Sequence, residues 1–206
     1  EKIKKGFSPN VLKKCGNIQL CPTWGDHMMH NEAYEIIEYF LSSNRNVTVS
    51  VNTNGSMRDE MYWWNVSALA LKYKGKWGAR RLRIIFDVDG TNQEMHNLYR
   101  RNTNLKKILA HMKVASEFKD YVIVQTQTVL FKHNQDYLKE IEELCKSYGS
   151  ERHSSVISDR FYNNQSESED VYHFYDENNK KQTLHRVTDD WRNNFKEDGA
   201  LISRGT

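Results

Sequence analysis

Between Asn17 and Ile157 the chain alternates between two hydrophobic rhythms. Asn17–Cys21, Val47–Val51, Leu82–Phe86 and Tyr121–Phe131 are short runs, mostly rich in apolar or β-branched residues, and predict strands. Ser154–Ile157 adds a fifth strand. Between them lie stretches with helical spacing. Glu32–Leu41 places Tyr34, Ile37, Phe40 and Leu41 on one face, and Met57–Lys72, Thr103–Val114 and Gln135–Tyr148 follow the same rule. Asn31 and Thr103 suit N-caps, and Gly149 suits a C′ position. Strands alternating with helices imply βαβ units and a parallel sheet.

Past Arg160 the rhythm breaks. Asn163–Asp170 is polar and acidic, a loop by composition. Val171–Tyr175 and Thr183–Val187 flank the turn-forming run Glu177–Lys180 and predict a β-hairpin. The expected organisation is therefore a core over residues 1–160 and a small C-terminal appendage over 161–206.

Composition narrows the class without naming a function. Hydrophobic residues make up 38% and charged residues 28% of the 206, as in a globular chain. No apolar run approaches the roughly 20 residues needed to span a bilayer, so no membrane segment is expected. A net charge of +3 is too mild to argue for nucleic acid. The local basic run Lys72, Lys74, Lys76, Arg80, Arg81 and Arg83, with Tyr73 and Trp77 between, is expected to be a helix end and a polar loop. Three cysteines, an odd number, favour a reducing, cytoplasmic setting. Cys21 and Cys145 are expected to be small buried apolar residues, and no cysteine or histidine spacing predicts a metal site.

The chemistry gathers at strand ends. Trp24-Gly25-Asp26, Asn52-Thr53-Asn54-Gly55, Asp87-Val88-Asp89-Gly90 and His133-Asn134 each follow a predicted strand. In a parallel sheet these ends share one rim, and ligands bind beyond it. Asp87 and Asp89 alone support a phosphatase. The segment resembles the first motif of the haloacid-dehalogenase-like phosphatases, which implies Asp87 as nucleophile, Asp89 as general acid/base and Mg²⁺ between them. Thr126 or Thr128, Lys132 and Asp189-Asp190 are available for that family's later motifs. Against it, two strand–helix units precede the nucleophile strand, and Asn52–Gly55 is left without a role.

The longer pattern resembles the radical S-adenosylmethionine superfamily from about Asn17 to Arg160. Leu20–Met29 is similar to the second-strand Gly-Gly-Glu-Pro or Tyr-Gly-Asp-Pro motif, with His27 where Pro is common. Asn52–Gly55 is similar to the third-strand Thr-Asn-Gly motif, and Phe86–Gly90 to the fourth-strand Ser-Ile-Asp-Gly. His96–Thr103 resembles the family's His/Tyr-Arg segment, and Val129–Asn134 its fifth strand end. The resemblance implies a partial parallel (βα) barrel lacking its first strand, with S-adenosylmethionine and a 4Fe–4S cluster as cofactors. It further implies that Gly25 and Asp26 meet the methionyl amine, that Asn52 and Asn54 face the cofactor, and that Asp87 or Asp89 meets ribose or lines the substrate cleft. Arg100 would hold the methionyl carboxylate, and Gln125 or Gln127, whichever points inward, would line the barrel.

That reading implies a 5′-deoxyadenosyl radical that abstracts hydrogen from a substrate of unspecified class, fed by an electron donor such as flavodoxin or ferredoxin. The family's Cys-x3-Cys-x2-Cys cluster loop is not found in the sequence. The expectation is a fragment whose cluster ligands lie upstream of Glu1 and which is inactive alone. A non-catalytic binding module, using Lys72–Arg83 or the hairpin as its contact surface, is the third reading.

Overall fold

The computed structural model describes residues 2–21, 25–158, 161 and 170–192. Two short helices, α1 (Lys2–Gly6) and α2 (Pro9–Leu12), lead into β1 (Asn17–Leu20). Then follow α3 (Ala33–Ser43), β2 (Thr48–Thr53), α4 (Glu60–Lys72), β3 (Leu82–Asp87), α5 (Gln93–Asn97), α6 (Leu105–Ser116), β4 (Val122–Leu130), α7 (Leu138–Ser147) and β5 (Arg152–Ile157). An antiparallel hairpin, β6 (Val171–Tyr175) and β7 (Lys181–His185), and a last turn, α8 (Asp189–Arg192), complete the described chain.

The five strands form one wholly parallel sheet in the order β1-β2-β3-β4-β5. Sequential order with right-handed crossovers puts every connecting helix on one face. The packing agrees: α3 lies on α4 and α4 on α6. Alternation along the strands sorts the side chains accordingly. Val49, Val51, Ile84, Phe86, Val122 and Val124 are fully buried under the helices. Asn52, Arg83, Ile85, Asp87, Ile123, Gln125 and Gln127, on the other face, are only half-buried. The sheet is open among the described residues, with β1 and β5 each paired on one side. One face is packed with hydrocarbon and the other is polar and accessible, which suits a ligand.

The hairpin docks on the core. Leu184, Tyr172 and Phe174 pack with Phe131, Phe161 and Tyr99, and Lys132 N donates to His185 O. This brings β6 and β7 over the end of β4. The boundary expected at Arg160 and the polar loop expected over Asn163–Asp170 fall mostly outside the described residues, as does Trp24.

Several local expectations shift. Asn104, not Thr103, caps α6: its carbonyl accepts from Lys107 N, while the Thr103 hydroxyl turns back to Arg100 O. Helix α4 starts at Glu60 rather than Met57, because the Asp59 carboxylate captures Tyr62 N. Glu32 rather than Asn31 precedes α3, and its amide donates to His30 Nδ1. The second hairpin strand ends at His185, leaving Val187 to pack with Leu130 and Trp191. Three residues of the basic run are paired within the fold. Lys72 pairs with Glu38, Arg80 with Glu151, and buried Arg81 donates to the carbonyls of Leu41, Asn44, Val47 and Tyr73.

Candidate functional site

The rim is organised by three carboxylates. Asp26, after β1, caps the turn His27–Met29 by accepting from Met28 N at 2.8 Å. Its other oxygen accepts from Asn54 N at 2.6 Å and the Thr53 hydroxyl at 2.9 Å. One buried carboxylate thus ties the β1 loop to the β2 loop. Thr53 in turn accepts from Gly55 N, and the Asn54 side chain accepts from Ser56 N. Gly55 has φ +71°, and a Cβ there would stand 2.6 Å from the Phe86 ring, so no other residue fits this turn without moving the core.

Beyond β3, Arg100 bridges the other two carboxylates. Its Nη2 lies 3.0 Å from Asp87 and its Nε 2.7 Å from Asp89. Asp89 is fully buried, and its second oxygen accepts from Val129 N at 2.6 Å. Asn134 clamps the same corner by donating to the carbonyls of Asp89 and Val129. The Asp89 amide donates to His96 Nδ1, which fixes the proton of this buried imidazole on Nε2.

Burial tunes two of these groups. The Asp87 carboxyl is pushed up to about 7, chiefly by desolvation, with Arg100 opposing and Asp89 and Asp26 adding to the rise. The His96 imidazole is pushed down to about 4, again by desolvation. The consequences for stability have opposite signs. His96 has a folded value below its ordinary 6.5, so its contribution is present above pH 6.5 and is lost as pH falls through 4. Asp87 has a folded value above its ordinary 3.8, so its contribution is present below pH 3.8 and is lost as pH rises through about 7. Thermal melts across this range are expected to show less acid sensitivity in His96→Gln and less decline toward neutral pH in Asp87→Asn. Parallel pH profiles for wild type and both variants would contradict these assignments.

A cavity of about 230 Å³ opens between the loops, lined by Cys21, Gly25, Asp26, Asn52, Thr53, Asn54, Asp87, Arg100 and Gln127. Seven of the eight residues expected from the sequence therefore line one cleft. The eighth, Asp89, lies below it and is inaccessible. Gln125 and Gln127 are two residues apart and share a face, so both point inward; register decides between them. Gln127 pairs with Asp87 at the rim, whereas Gln125 sits deeper beside Ile85. The Asn52 side chain accepts from Gln19.

Cys21 corrects an expectation. It is exposed at the cleft, not buried, because β1 ends one residue earlier; Cys145 is buried as expected. Thr53, His96 and Asn134 stand within motifs quoted from the sequence, but their bonds to the loops are not legible there, and Thr53 also lines the cleft.

The residues needed by a phosphatase do not converge. Arg100 stands between the two carboxylates, and Asp89 cannot reach a leaving group. Thr126 and Thr128 lie buried on the helix-covered face, bonded to Ser150, His153 and Val88. Asp189 pairs with Arg186.

No family model matches the sequence, and no curated protein matches it. Solved structures do match by fold. His-tagged anSMEcpe with bound AdoMet superposes with a TM-score of 0.59 at 15% identity, covering 82% of this chain and 44% of that one. Native anSMEcpe with bound AdoMet gives 0.58 at 15% identity, covering 81% and 45%. Native anSMEcpe with bound AdoMet and Kp18Cys peptide gives 0.56 at 15% identity, covering 76% and 42%. These neighbours are radical SAM enzymes. The chain has the α/β fold of that class, and it spans less than half the length of the solved chains it matches.

Proposed function

We propose that this chain is an S-adenosylmethionine-binding core of a radical SAM enzyme, with the cofactor in the cleft between the β1, β2 and β3 loops. The observation that carries this reading is the convergence of Gly25, Asp26, Asn52, Asn54, Asp87, Arg100 and Gln127 on one opening. The donor set suits a zwitterionic nucleoside. Asn52 and Gln127 offer amides for ribose and adenine. The oxygens of Asp26 already accept backbone and hydroxyl protons, so Asp26 acts by holding the loop whose backbone at Gly25 meets the methionyl ammonium. Arg100 has Nε and Nη2 engaged by the aspartates, which leaves Nη1 for the methionyl carboxylate. At about 230 Å³ the cleft falls below the ~300–1,000 Å³ of typical ligand pockets, so part of the cofactor extends beyond it.

The cysteines do not fit a 4Fe–4S cluster among the described residues. Cys21 is exposed at the cleft, Cys15 is half-buried before β1, and Cys145 is buried on α7. No group of three or more His, Cys, Asp or Glu able to hold a metal ion is present among the described residues. In this reading the described residues supply binding, orientation and exclusion of water.

Calorimetric titration with S-adenosylmethionine tests the proposal. A dissociation constant of about 1 mM, roughly −4 kcal/mol, is expected for binding to the cleft alone, weakened about fivefold by Gln127→Ala. Absence of saturable binding would contradict it. So would Mg²⁺-dependent phosphate release from a generic ester that disappears in Asp87→Asn, which would install the phosphatase reading instead.

A further inference from the structure

A second cavity, of about 490 Å³, adjoins the cleft and shares Asn54 and Arg100 with it. That volume lies within the ~300–1,000 Å³ range of ligand sites. Beyond the two shared residues, its walls come from the segment after α5 and from the β6–β7 hairpin. Tyr99, Tyr172, Phe174 and Tyr175 give it aromatic faces. Two arginines enter it, and they are paired differently. Arg100 is held at hydrogen-bond distance by Asp87 and Asp89. Arg101 stacks its guanidinium on Phe174, with Cζ 4.3 Å from the ring centroid, and its buried Nη1 has no hydrogen-bond partner among the described residues.

Among the described residues, Asp176 is the ion-pair partner of Arg101, and the pairing is loose. Asp176 Oδ2 stands 3.9 Å from Arg101 Nη1, beyond hydrogen-bond reach. Its oxygens accept from Asn178 N, Lys180 N and Gln182 Nε2 in the hairpin turn. The Arg101 ion pair is long and the guanidinium is partly exposed, so donors remain for an anion that approaches from the cavity. The aromatic walls beside it favour a flat body over an aliphatic one.

We propose that this second cavity is a binding site for a ligand that combines a planar ring with an anionic group, a carboxylate or a phosphate, held by Arg101 and stacked among the hairpin aromatics. Resting on the S-adenosylmethionine reading of the adjoining cleft, this ligand is the substrate, and the hairpin sets its class. The shared wall at Asn54 and Arg100 places it beside the cofactor.

The test uses the chain as it is, with two anionic probes and their neutral counterparts: N-acetyl-tryptophan against N-acetyl-tryptophanamide, and uridine monophosphate against uridine. Calorimetry is expected to show at least one anionic probe binding about tenfold more tightly than its neutral partner. Arg101→Gln should reduce that probe to the affinity of the neutral one, and Arg101→Lys should restore part of the difference. A preference confined to the first pair defines a carboxylate ligand, and one confined to the second a phosphate. S-adenosylmethionine affinity, measured on the same Arg101→Gln protein with its fold checked by circular dichroism, should stay within about twofold of wild type. Equal binding of charged and neutral probes, failure of both anions to saturate, or an anion preference that survives Arg101→Gln overturns the site. If an anion binds through Arg101 while S-adenosylmethionine does not bind the wild type, the site stands and the cofactor reading of its neighbour falls.

Discussion

Asp89→Ala is expected to cost about 3–5 kcal/mol of folding stability, enough to unfold a domain of ordinary stability. Asp89 has no exposure and accepts from Arg100 Nε and Val129 N. Removing it strands a buried amide and leaves Arg100, itself only 23% exposed, with one aspartate where it had two. That remaining aspartate, Asp87, is held near 7 by burial and is a weak substitute. Asp89→Asn keeps an acceptor for Val129 N but loses the charge, so an intermediate loss is expected. Urea unfolding followed by circular dichroism measures both. A loss below about 1 kcal/mol for Asp89→Ala would mean that the Arg100 bridge does not hold the rim together.

Asp26→Ala is expected to be nearly as damaging and to act on the site as well. The amides of Met28 and Asn54 would lose their acceptor in a corner where Asp26 is only 7% exposed. Each orphaned buried donor costs about 1–3 kcal/mol, so a total of about 2–6 kcal/mol is expected for the two. Both walls of the cleft hang on this carboxylate, so S-adenosylmethionine affinity should fall with stability. Asp26→Asn separates positioning from direct contact. If Asp26 positions the loops, Asn lowers the melting temperature and the affinity together, because its amide cannot accept at both oxygens. Lost affinity at unchanged melting temperature would instead mean that the carboxylate touches the ligand directly.

Strand identity and a parallel sheet follow from short apolar runs between helical stretches, because a parallel sheet buries its helix-facing side completely. The rim motifs at Gly25, Asn52–Asn54 and Asp87 were legible because strand ends share one edge. Side-chain bonding was not. Asp26 reads as a ligand group, and in the structure it lines the cleft while also tying two loops; Asp89 reads as a site residue and lies beneath the cleft. In a sequence, a carboxylate facing a ligand and one facing a backbone amide look alike. The short helices α1, α2 and α5 escaped because one turn carries too few residues to display a period. The hairpin was foreseen as a unit, but its docking over β4 depends on Tyr99, Phe131 and Leu184 meeting across long separations in the chain.

S-adenosylmethionine is proposed to lie in the cleft at the carboxyl ends of β1 to β4. Amide chemical-shift mapping during titration with S-adenosylmethionine addresses that location directly. The account predicts saturable shifts confined to the rim, at Gly25, Asp26, Asn54, Gly55, Val88, Arg100 and Val129, and their loss in Asp26→Ala. Shifts centred on another face, or no saturable shifts in a folded protein at ligand concentrations about tenfold above 1 mM, would contradict it.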